Sequence, residues 1–504
     1  MRDKRFLALA LAPLVAATAA LPSAAASAAR PDAAGPAVAG SPIRHVIEIM
    51  IENHTFDNLF GRFRGADGIP ANTSLLNPNA YFESEPAVRP VWATLNEGDV
   101  QWQINNSTAG EQMAMDYEPG RGYLMDHYTL FPQDGMSAIT EFGPAFDPDE
   151  QYLARHYELG DHNFQPVIAP TQPNVLAALT GTDHGWIYNS PPPDAGRPWN
   201  SIFDELTAHR RTWKIYWALP TYILDGSIWD QLLPPGHLAD LTTAQAFFSD
   251  LAHGGLPDFS FVRPGAGYST EPPEDVTEGD AWIGQLVAAV ARSRYWDSTA
   301  IFVTYDESGG FWDHVAPPAA AGYGPRTPMI IISPYARRGV FHQQTTNISI
   351  LSFMQRLWGM PPLTRLNARQ DNLLAAFSFR QKPLPAPRPP AAPAVTIGFH
   401  GRGGLLTDIG APRPGAAVPV YLVAETGGLV PDSAVSGWVH LTVTPPPGVA
   451  VPRGFPRLAR LRGGLAYLSA RFRTAGYYRI TARGPRGSEG WATVDVGVTP
   501  ATAP

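Results

Sequence analysis

The amino-acid sequence predicts an α/β protein with a mainly parallel sheet, followed by a smaller all-β unit. Three observations carry this expectation. Between residues 43 and 380, short apolar runs alternate with stretches of helical period. A Pro-rich segment, KPLPAPRPPAAP at 382–393, then interrupts the chain. Beyond it, strand-like runs follow one another with Gly and Pro turns and little helical pattern.

The expected strands of the first part are residues 46–51, 213–217, 259–262, 300–304 and 329–332. Each is short, β-branched or aromatic, and followed by polar or turn residues, as buried parallel strands are. The expected helices are 174–179, 201–209, 281–291 and 348–358. Strands alternating with helices imply a sheet covered on both faces. The Pro-rich segment reads as an extended, semi-rigid linker over 381–394. After it, residues 418–423, 438–444, 466–473, 477–482 and 492–498 predict an immunoglobulin-like β-sandwich over 395–499.

Composition narrows the function classes. A chain of 504 residues exceeds one ordinary core and predicts two domains. A net charge of -8 supplies no broad basic field, so no nucleic-acid partner is expected. The absence of cysteine excludes disulfides, thiolate metal sites and a cysteine nucleophile. At the start, Arg2, Lys4 and Arg5 precede an apolar stretch, 6–21, and small residues at Ala24, Ala25 and Ala26. This is the pattern of a secretory signal peptide, assigned to 1–29, with an N-terminal membrane anchor as the alternative reading and a mobile leader over 30–42. No later segment is apolar for long enough to cross a bilayer. A secreted or cell-envelope (periplasmic) location follows as the expectation.

In an open α/β sheet, ligands bind beyond the carboxyl ends of the strands. After the first strand comes Glu52-Asn53, a carboxylate and an amide able to present oxygens to a hard cation. After 300–304 comes Tyr305-Asp306-Glu307-Ser308-Gly309-Gly310. Two adjacent acids at an apolar strand end are costly unless a cation or proton compensates. Alone, the Glu52-Asn53 pair reads better as a polar turn, and the second segment can also be a solvated turn; two such ends in one sheet point to a shared metal site. Oxygen donors suit Mg²⁺, Ca²⁺ or Mn²⁺, with Zn²⁺ also open. Thr171, in Pro170-Thr171-Gln172-Pro173-Asn174, stands before an expected helix. Its ordinary role is a helix cap. A hydroxyl at a helix N-terminus beside a metal is also placed to attack phosphorus.

Taken in order, these segments resemble the bacterial phosphoesterase family of phosphatidylcholine-type phospholipases C and acid phosphatases. Residues 44–61, RHVIEIMIENHTFDNLFG, resemble its opening motif; Pro170 to Asn174 match its P-[ST]-x-P-N; and 304–315, TYDESGGFWDHV, match its T-Y-D-E-x-G-G-F-Y-D-H-V. Residues 324–328, 332–336 and a stretch from Ser201 through Tyr216 resemble further blocks. The resemblance covers about 43–380, the expected catalytic domain, and implies an alkaline-phosphatase-like α/β/α sandwich. It implies one divalent cation held by Glu52, Asn53, Thr171, Asp306 and Glu307. Thr171 would be the nucleophile, forming a phospho-threonine that water then hydrolyses. Asp313 and His314 occupy the family's D-H, with His314 a candidate for proton transfer or for a structural role.

Two departures stand out. Ser269-Thr270-Glu271-Pro272 replaces the family's common S-E-H-P, and Thr346 and Asn347 replace an Asp-His pair. Glu271 would repel a phosphate unless protonated or metal-bound. His127 and His162 are candidate substitutes for the missing imidazoles, each with a structural role as the plainer reading. Three activities remain open at this level. They are a phospholipase C-type phosphodiesterase acting on a phosphate ester such as a phospholipid, a phosphomonoesterase of the acid phosphatase kind, and a non-catalytic surface-binding protein on a degenerate scaffold. The poorly matching regions 71–119 and 120–150 are expected to shape the pocket, and the C-terminal unit is expected to bind a surface.

Overall fold

The computed structural model describes residues 35–496 apart from 78–86, 93–103, 131–136, 191–198, 218–231, 265–267, 273, 275, 389–395, 402–414, 416, 426–435, 447, 463–464 and 485–488. The segment read as a signal peptide lies outside the described residues. So does the first part of the leader.

The main sheet has eight strands. In chain order they are β1 (His45–Ile51), β2 (Glu158–Gly160), β3 (Trp213–Trp217), β4 (Leu241–Thr243), β5 (Phe259–Arg263), β6 (Thr299–Tyr305), β7 (Met329–Ile332) and β8 (Gly339–Phe341). Their order across the sheet is β8-β2-β7-β6-β1-β5-β3-β4. The run from β6 to β4 is parallel. The exception is β7, which runs antiparallel to both β6 and β2. All five expected strands form. β2, β4 and β8 are three residues each, too short to show a period in sequence.

Every residue of β6 is buried, so both faces of the sheet centre are covered. The helices include α1 (Phe56–Phe60), α2 (Thr108–Met115), α3 (Pro148–His156), α4 (Thr171–Thr180), α5 (Ile202–Ala208), α6 (Ala244–His253), α7 (Val276–Arg292) and α8 (Ile348–Trp358). α8 ends at Gly359 in the left-handed conformation (φ 72°), the usual helix stop. Its Phe353 packs on Phe302 of β6 with ring centroids 5.1 Å apart. Aromatic burial of this kind contributes about 2 kcal/mol per side chain.

The register positions the site. Ile51 lies opposite Tyr305 and Met50 opposite Thr304, so Glu52 and Asp306 emerge side by side. On the other flank Ile49 lies opposite Val262, which brings Arg263 level with Met50. The carboxyl ends of β6, β1 and β5 therefore deliver Asp306, Glu52 and Arg263 to one edge.

Two segments expected to lie outside this body, the mobile leader and the semi-rigid linker, are tied to it at the ends described. At the end of the leader, the Val38 N–H donates to Leu357 O at 3.3 Å. At the start of the Pro-rich segment, the Leu384 N–H donates to Pro334 O at 2.7 Å, and the Tyr157 hydroxyl donates to Pro385 O at 2.7 Å.

A second sheet follows: β9 (Thr396–Gly401), β10 (Ala417–Glu425), β11 (Gly437–Thr444), β12 (Leu458–Leu461), β13 (Leu465–Arg471), β14 (Gly476–Arg483) and β15 (Glu489–Val496). Its order is β12-β11-β14-β15-β9-β10-β13, antiparallel except for the parallel β9–β15 pair. The two ends of that order, β12 and β13, lie against each other. Val439, Leu441, Leu461, Phe472, Tyr478 and Ile480 form a hydrophobic cluster separate from the main core. Among the described residues, no helix is long and apolar enough to cross a membrane.

Candidate active site

Glu52 is fixed through its backbone. Its N–H donates to Ser269 O at 3.0 Å, and its carbonyl accepts from the Thr270 hydroxyl at 2.7 Å. Asn53 follows in the left-handed region (φ 64°), a conformation that costs an ordinary residue about 1 kcal/mol or more. The partner loop explains how it is held. Gly309 (φ 67°) passes so close that a Cβ there would lie 2.6 Å from Asn53 O. Gly309 is thus required by the close approach of two strand ends, and Gly310 (φ 78°) by the approach of Ile104 and Asn105.

Asp306 donates its N–H to Ile51 O at 3.0 Å, which locks the two strand ends together. Its Oδ1 accepts the Glu307 N–H at 2.9 Å. Glu307 is engaged on both oxygens, by the Asn106 amide at 2.6 Å and by the Gly309 N–H at 2.5 Å. Beneath it, the Ser308 hydroxyl donates to buried Glu111 at 2.7 Å, and the Ser308 N–H donates to Gln165 at 2.7 Å. Asn106 and Glu111 come from the 71–119 region, so that part of the chain reaches the site.

Thr171 does not cap its helix. It is the first residue of α4; the preceding Pro170 has no side-chain cap, and the Thr171 hydroxyl donates instead to Glu52 Oε2 at 3.3 Å. Asn174 holds the approach. Its amide donates to Ala169 O and Pro170 O (2.5 and 3.1 Å), and its Oδ1 accepts the Val167 N–H at 3.0 Å. That is the physical content of the Pro-Thr-x-Pro-Asn segment: the asparagine fixes the loop that carries the hydroxyl.

Arg263 is the residue that motif reading missed. Its guanidinium is buried, pairs with Glu52 Oε1 and lies 3.5 Å from Asp306 Oδ2, bridging the two acids. The signal was present in the sequence, a charged residue at the carboxyl end of an apolar strand, the same logic that selected Glu52 and Asp306. One guanidinium does not neutralise this edge. Burial, then the charge of Glu52, pushes the Asp306 carboxyl up to about 8 despite Arg263. Burial and the Asp306 and Glu111 charges push Glu307 well above the usual carboxylate range.

These residues fit a divalent cation. The donors are carboxylate, amide and hydroxyl oxygens, the set hard cations take. Asn53 is 1% exposed, and its Oδ1 accepts no hydrogen bond. An unsatisfied buried polar group costs about 1–3 kcal/mol, which a ligand at Oδ1 relieves. Glu52, Asp306 and Glu307 are not drawn as close together as the tightest acid–histidine groups among the described residues, which are Asp57/Asp313/His314, Asp161/His162/His342 and Asp116/Asp126/His127. Arg263 bridges the first two, and the Glu307 oxygens are turned to Asn106 and Gly309.

Asp313 and His314 belong to a different network. Asp313 accepts from Arg326 Nε at 2.8 Å, from the Val315 N–H at 2.8 Å and from the Asp57 N–H at 3.1 Å. His314 pairs through Nδ1 with Asp57 at 2.7 Å. Burial opposes the imidazolium, but the Asp57 hydrogen bond and charge outweigh it and hold the His314 pKa above its ordinary value. This network clamps the start of α1 to the loop after β6. The contacts described for Asp313 and His314 include neither Thr171 nor the expected cation ligands. His162 pairs with Asp161 and Asp67, and His127 with Asp116 and Asp126, so neither meets the Thr171 hydroxyl. Asn347 is wholly buried; its Oδ1 accepts from Thr304 and Asn163, and its amide donates to Tyr305 O at 2.7 Å. It braces the end of β6.

Residues 43–361, well over half of the chain, match the phosphoesterase family. The chain belongs to the phosphoesterase family. It is accordingly a phosphoric ester hydrolase. Relatives include "Non-specific phospholipase C1" of Arabidopsis thaliana, 24% identical over 391 residues, covering 68% of this chain and 72% of that protein. "Phospholipase C B" of Mycobacterium tuberculosis is 25% identical over 413 residues, covering 68% and 79%. "Non-hemolytic phospholipase C" of Burkholderia pseudomallei is 24% identical over 392 residues, covering 62% of this chain and 55% of that protein. Among solved structures, a protein in the alkaline phosphatase superfamily from Vibrio parahaemolyticus aligns with a TM-score of 0.34 at 15% identity, covering 46% of this chain and 64% of that one. So distant a likeness adds nothing to the sheet order described above. The phosphoesterase match spans the whole sheet edge built above, from Glu52 to Asn347.

Proposed function

We propose that this phosphoesterase is an exported, cation-dependent hydrolase of phosphodiesters, phospholipase C-like, with Thr171 as nucleophile. One observation carries the reading: the Thr171 hydroxyl is unused as a cap and points to Glu52 at the junction of α4 and the β1 and β6 ends. In this reading Glu52, Asn53, Asp306 and Thr171 hold the cation, and Glu307 joins them. When bound, the cation stabilises the alkoxide and the charge on phosphorus.

Thr171 Oγ attacks phosphorus as the bond to the leaving oxygen breaks, and the hydroxyl proton passes by way of Glu52 to the departing alkoxide, which leaves as the alcohol. Water then cleaves the phospho-threonine, releasing the phosphorylated head group and restoring the hydroxyl. The helix start favours the anion at this point. Asp313 and His314 act as positioning residues, through Asp57 and Arg326, and not in proton transfer. Export rests on the signal-peptide pattern of residues 1–29, and the C-terminal sheet is assigned as an immunoglobulin-like surface-binding module.

The test is hydrolysis of a phosphodiester and its matching monoester, with and without chelator, by wild type and Thr171→Ala. Diester turnover is expected, abolished by chelator and lowered at least about a thousandfold by the substitution. Equal turnover by the variant would remove Thr171 from the mechanism. Preference for the monoester would move the assignment to a phosphatase.

A further inference from the structure

The chain's net charge of -8 hides a division. From residue 396 onwards there are 11 arginines, no lysine and 5 acidic residues, a net charge of +6, which leaves -14 on everything before it. An anionic surface therefore repels the first unit and attracts the second. The arginines are not spread evenly. Arg453, Arg457, Arg460 and Arg462 lie on and beside β12, and all four are exposed.

The outer face of the β12-β11-β14 edge carries apolar side chains among these charges. Strand alternation turns Val439, Leu441, Ala459 and Leu461 into the hydrophobic cluster, and Trp438, His440, Leu458 and Arg460 outwards. The register sets Trp438 opposite Arg460, and His440 between Leu458 on one side and exposed Arg483 on the other. The Arg460 guanidinium lies over the Trp438 ring, 5.9 Å from its centroid. Trp438 is 58% exposed and Leu458 49%, and Val451, in the loop joining the two strands, is 57% exposed. Among the described residues of the C-terminal unit, these three are the large hydrophobics that stand in solvent, and all belong to one strand pair and its loop.

Arginine mixed with indole and aliphatic groups suits the surface of a bilayer that contains anionic lipid. Guanidinium pairs with lipid phosphate. Each basic residue near such a surface adds about fivefold to affinity. Tryptophan settles where headgroups meet hydrocarbon. A soluble phosphate polymer would engage the charges and leave Leu458 and Val451 in water.

We infer that the β12-β11-β14 face, with Trp438, Leu458, Arg460 and Arg483, docks the protein onto anionic lipid bilayers. The inference rests on the reading of the C-terminal sheet as a surface-binding module, and gives that module its face and its partner. It also gives the division of charge a use, since the tethered basic unit keeps the acidic one beside a membrane that would otherwise repel it.

The experiment is flotation with vesicles of phosphatidylcholine alone, and of phosphatidylcholine mixed equally with phosphatidylglycerol. The protein is the chain from residue 30 onwards, without the apolar stretch read as a signal peptide, and chelator is present so that no divalent cation bridges protein to lipid. Wild type, Trp438→Ser and an Arg460→Gln/Arg483→Gln double variant are compared, with thermal melts to confirm folding. Wild type is expected to bind the anionic vesicles at least about tenfold more tightly than the neutral ones, and to lose that preference in high salt. The double variant should weaken anionic binding at least about tenfold, and Trp438→Ser about fivefold. Equal binding to both vesicles, or full binding by the folded double variant, overturns the inference. Capture by inorganic polyphosphate without flotation also overturns it and leaves a surface-binding module for soluble polyanions. Binding to neither vesicle nor polyphosphate overturns the module reading with it.

Discussion

At the scale of single residues, the decisive fact about Thr171 is where its hydroxyl goes. Its expected ordinary role was a helix cap, but the structure makes Pro170 the cap residue and sends the hydroxyl to Glu52. Thr171→Ser keeps a hydroxyl in place and should retain turnover within about tenfold of wild type, whereas Thr171→Ala should lose it. Initial-rate assays on a soluble diester separate the two. Arg263 makes the complementary prediction. Removing one partner from a buried ion pair strands the other charge and costs about 3–5 kcal/mol. Arg263→Met should therefore destabilise the stripped protein by roughly that amount, and a divalent cation should recover much of the loss. Denaturant melts with chelator and with excess cation measure both; a loss that cation does not touch would mean that Arg263 and the cation act on different acids.

At the scale of elements, the site depends on how close two strand ends can approach. A Cβ at Gly309 would press on the Asn53 backbone, which cannot swing aside as a flexible side chain would. Gly309→Ala should cost about 1–3 kcal/mol and weaken cation binding with it. Strand β1 carries a second test. Glu48 is buried in mid-strand; burial pushes its carboxyl up to about 8, with Arg263 pulling the other way. A pKa raised above the unfolded value of 4.5 contributes stability that is complete below that value and lost as pH rises through about 8. Glu48→Gln removes this dependence. The variant's melting temperature should gain on wild type from pH 5 to pH 8.5, and parallel curves would show that Glu48 is charged in the fold at no cost. The five strands and four helices expected from sequence form, but length does not decide which helices are legible: α5, seven residues, is expected, whereas α2, α3 and α6, of eight, nine and ten residues, are not. Strands β2, β4 and β8, three residues each, are too short to show a period, and their residues are chosen by the neighbours they pack on.

At the scale of the whole molecule, the Pro-rich segment is the informative stretch. Composition alone reads it as linker from residue 381. The structure binds its first half to the main body: Leu384 and Pro385 are hydrogen-bonded to it, and the Arg388 N–H donates to the Tyr152 hydroxyl at 3.1 Å. We propose the working boundary after Arg388. Truncation there should leave the melting of the first unit and its soluble-ester activity nearly unchanged, while truncation after Arg380 should lower the melting temperature measurably. Equal melting of the two would show that the segment packs without stabilising. Loss of folding in both would show that the C-terminal sheet shares the core.

The sequence by itself determined the fold class, the strand ends and the residues offered at them, because hydrophobic period and strand-end chemistry are local properties of the chain. It also announced Glu52, Asn53, Thr171, Asp306 and Glu307 together, as one resemblance. Only the tertiary structure decided which of these meet. It set Thr171 against Glu52, placed Arg263 between two acids, turned Glu307 towards Asn106 and sent Asp313 and His314 to brace α1. The reason is physical. Register and loop closure join residues more than a hundred positions apart, and the charge balance of a buried edge is a sum over strands that no single segment contains.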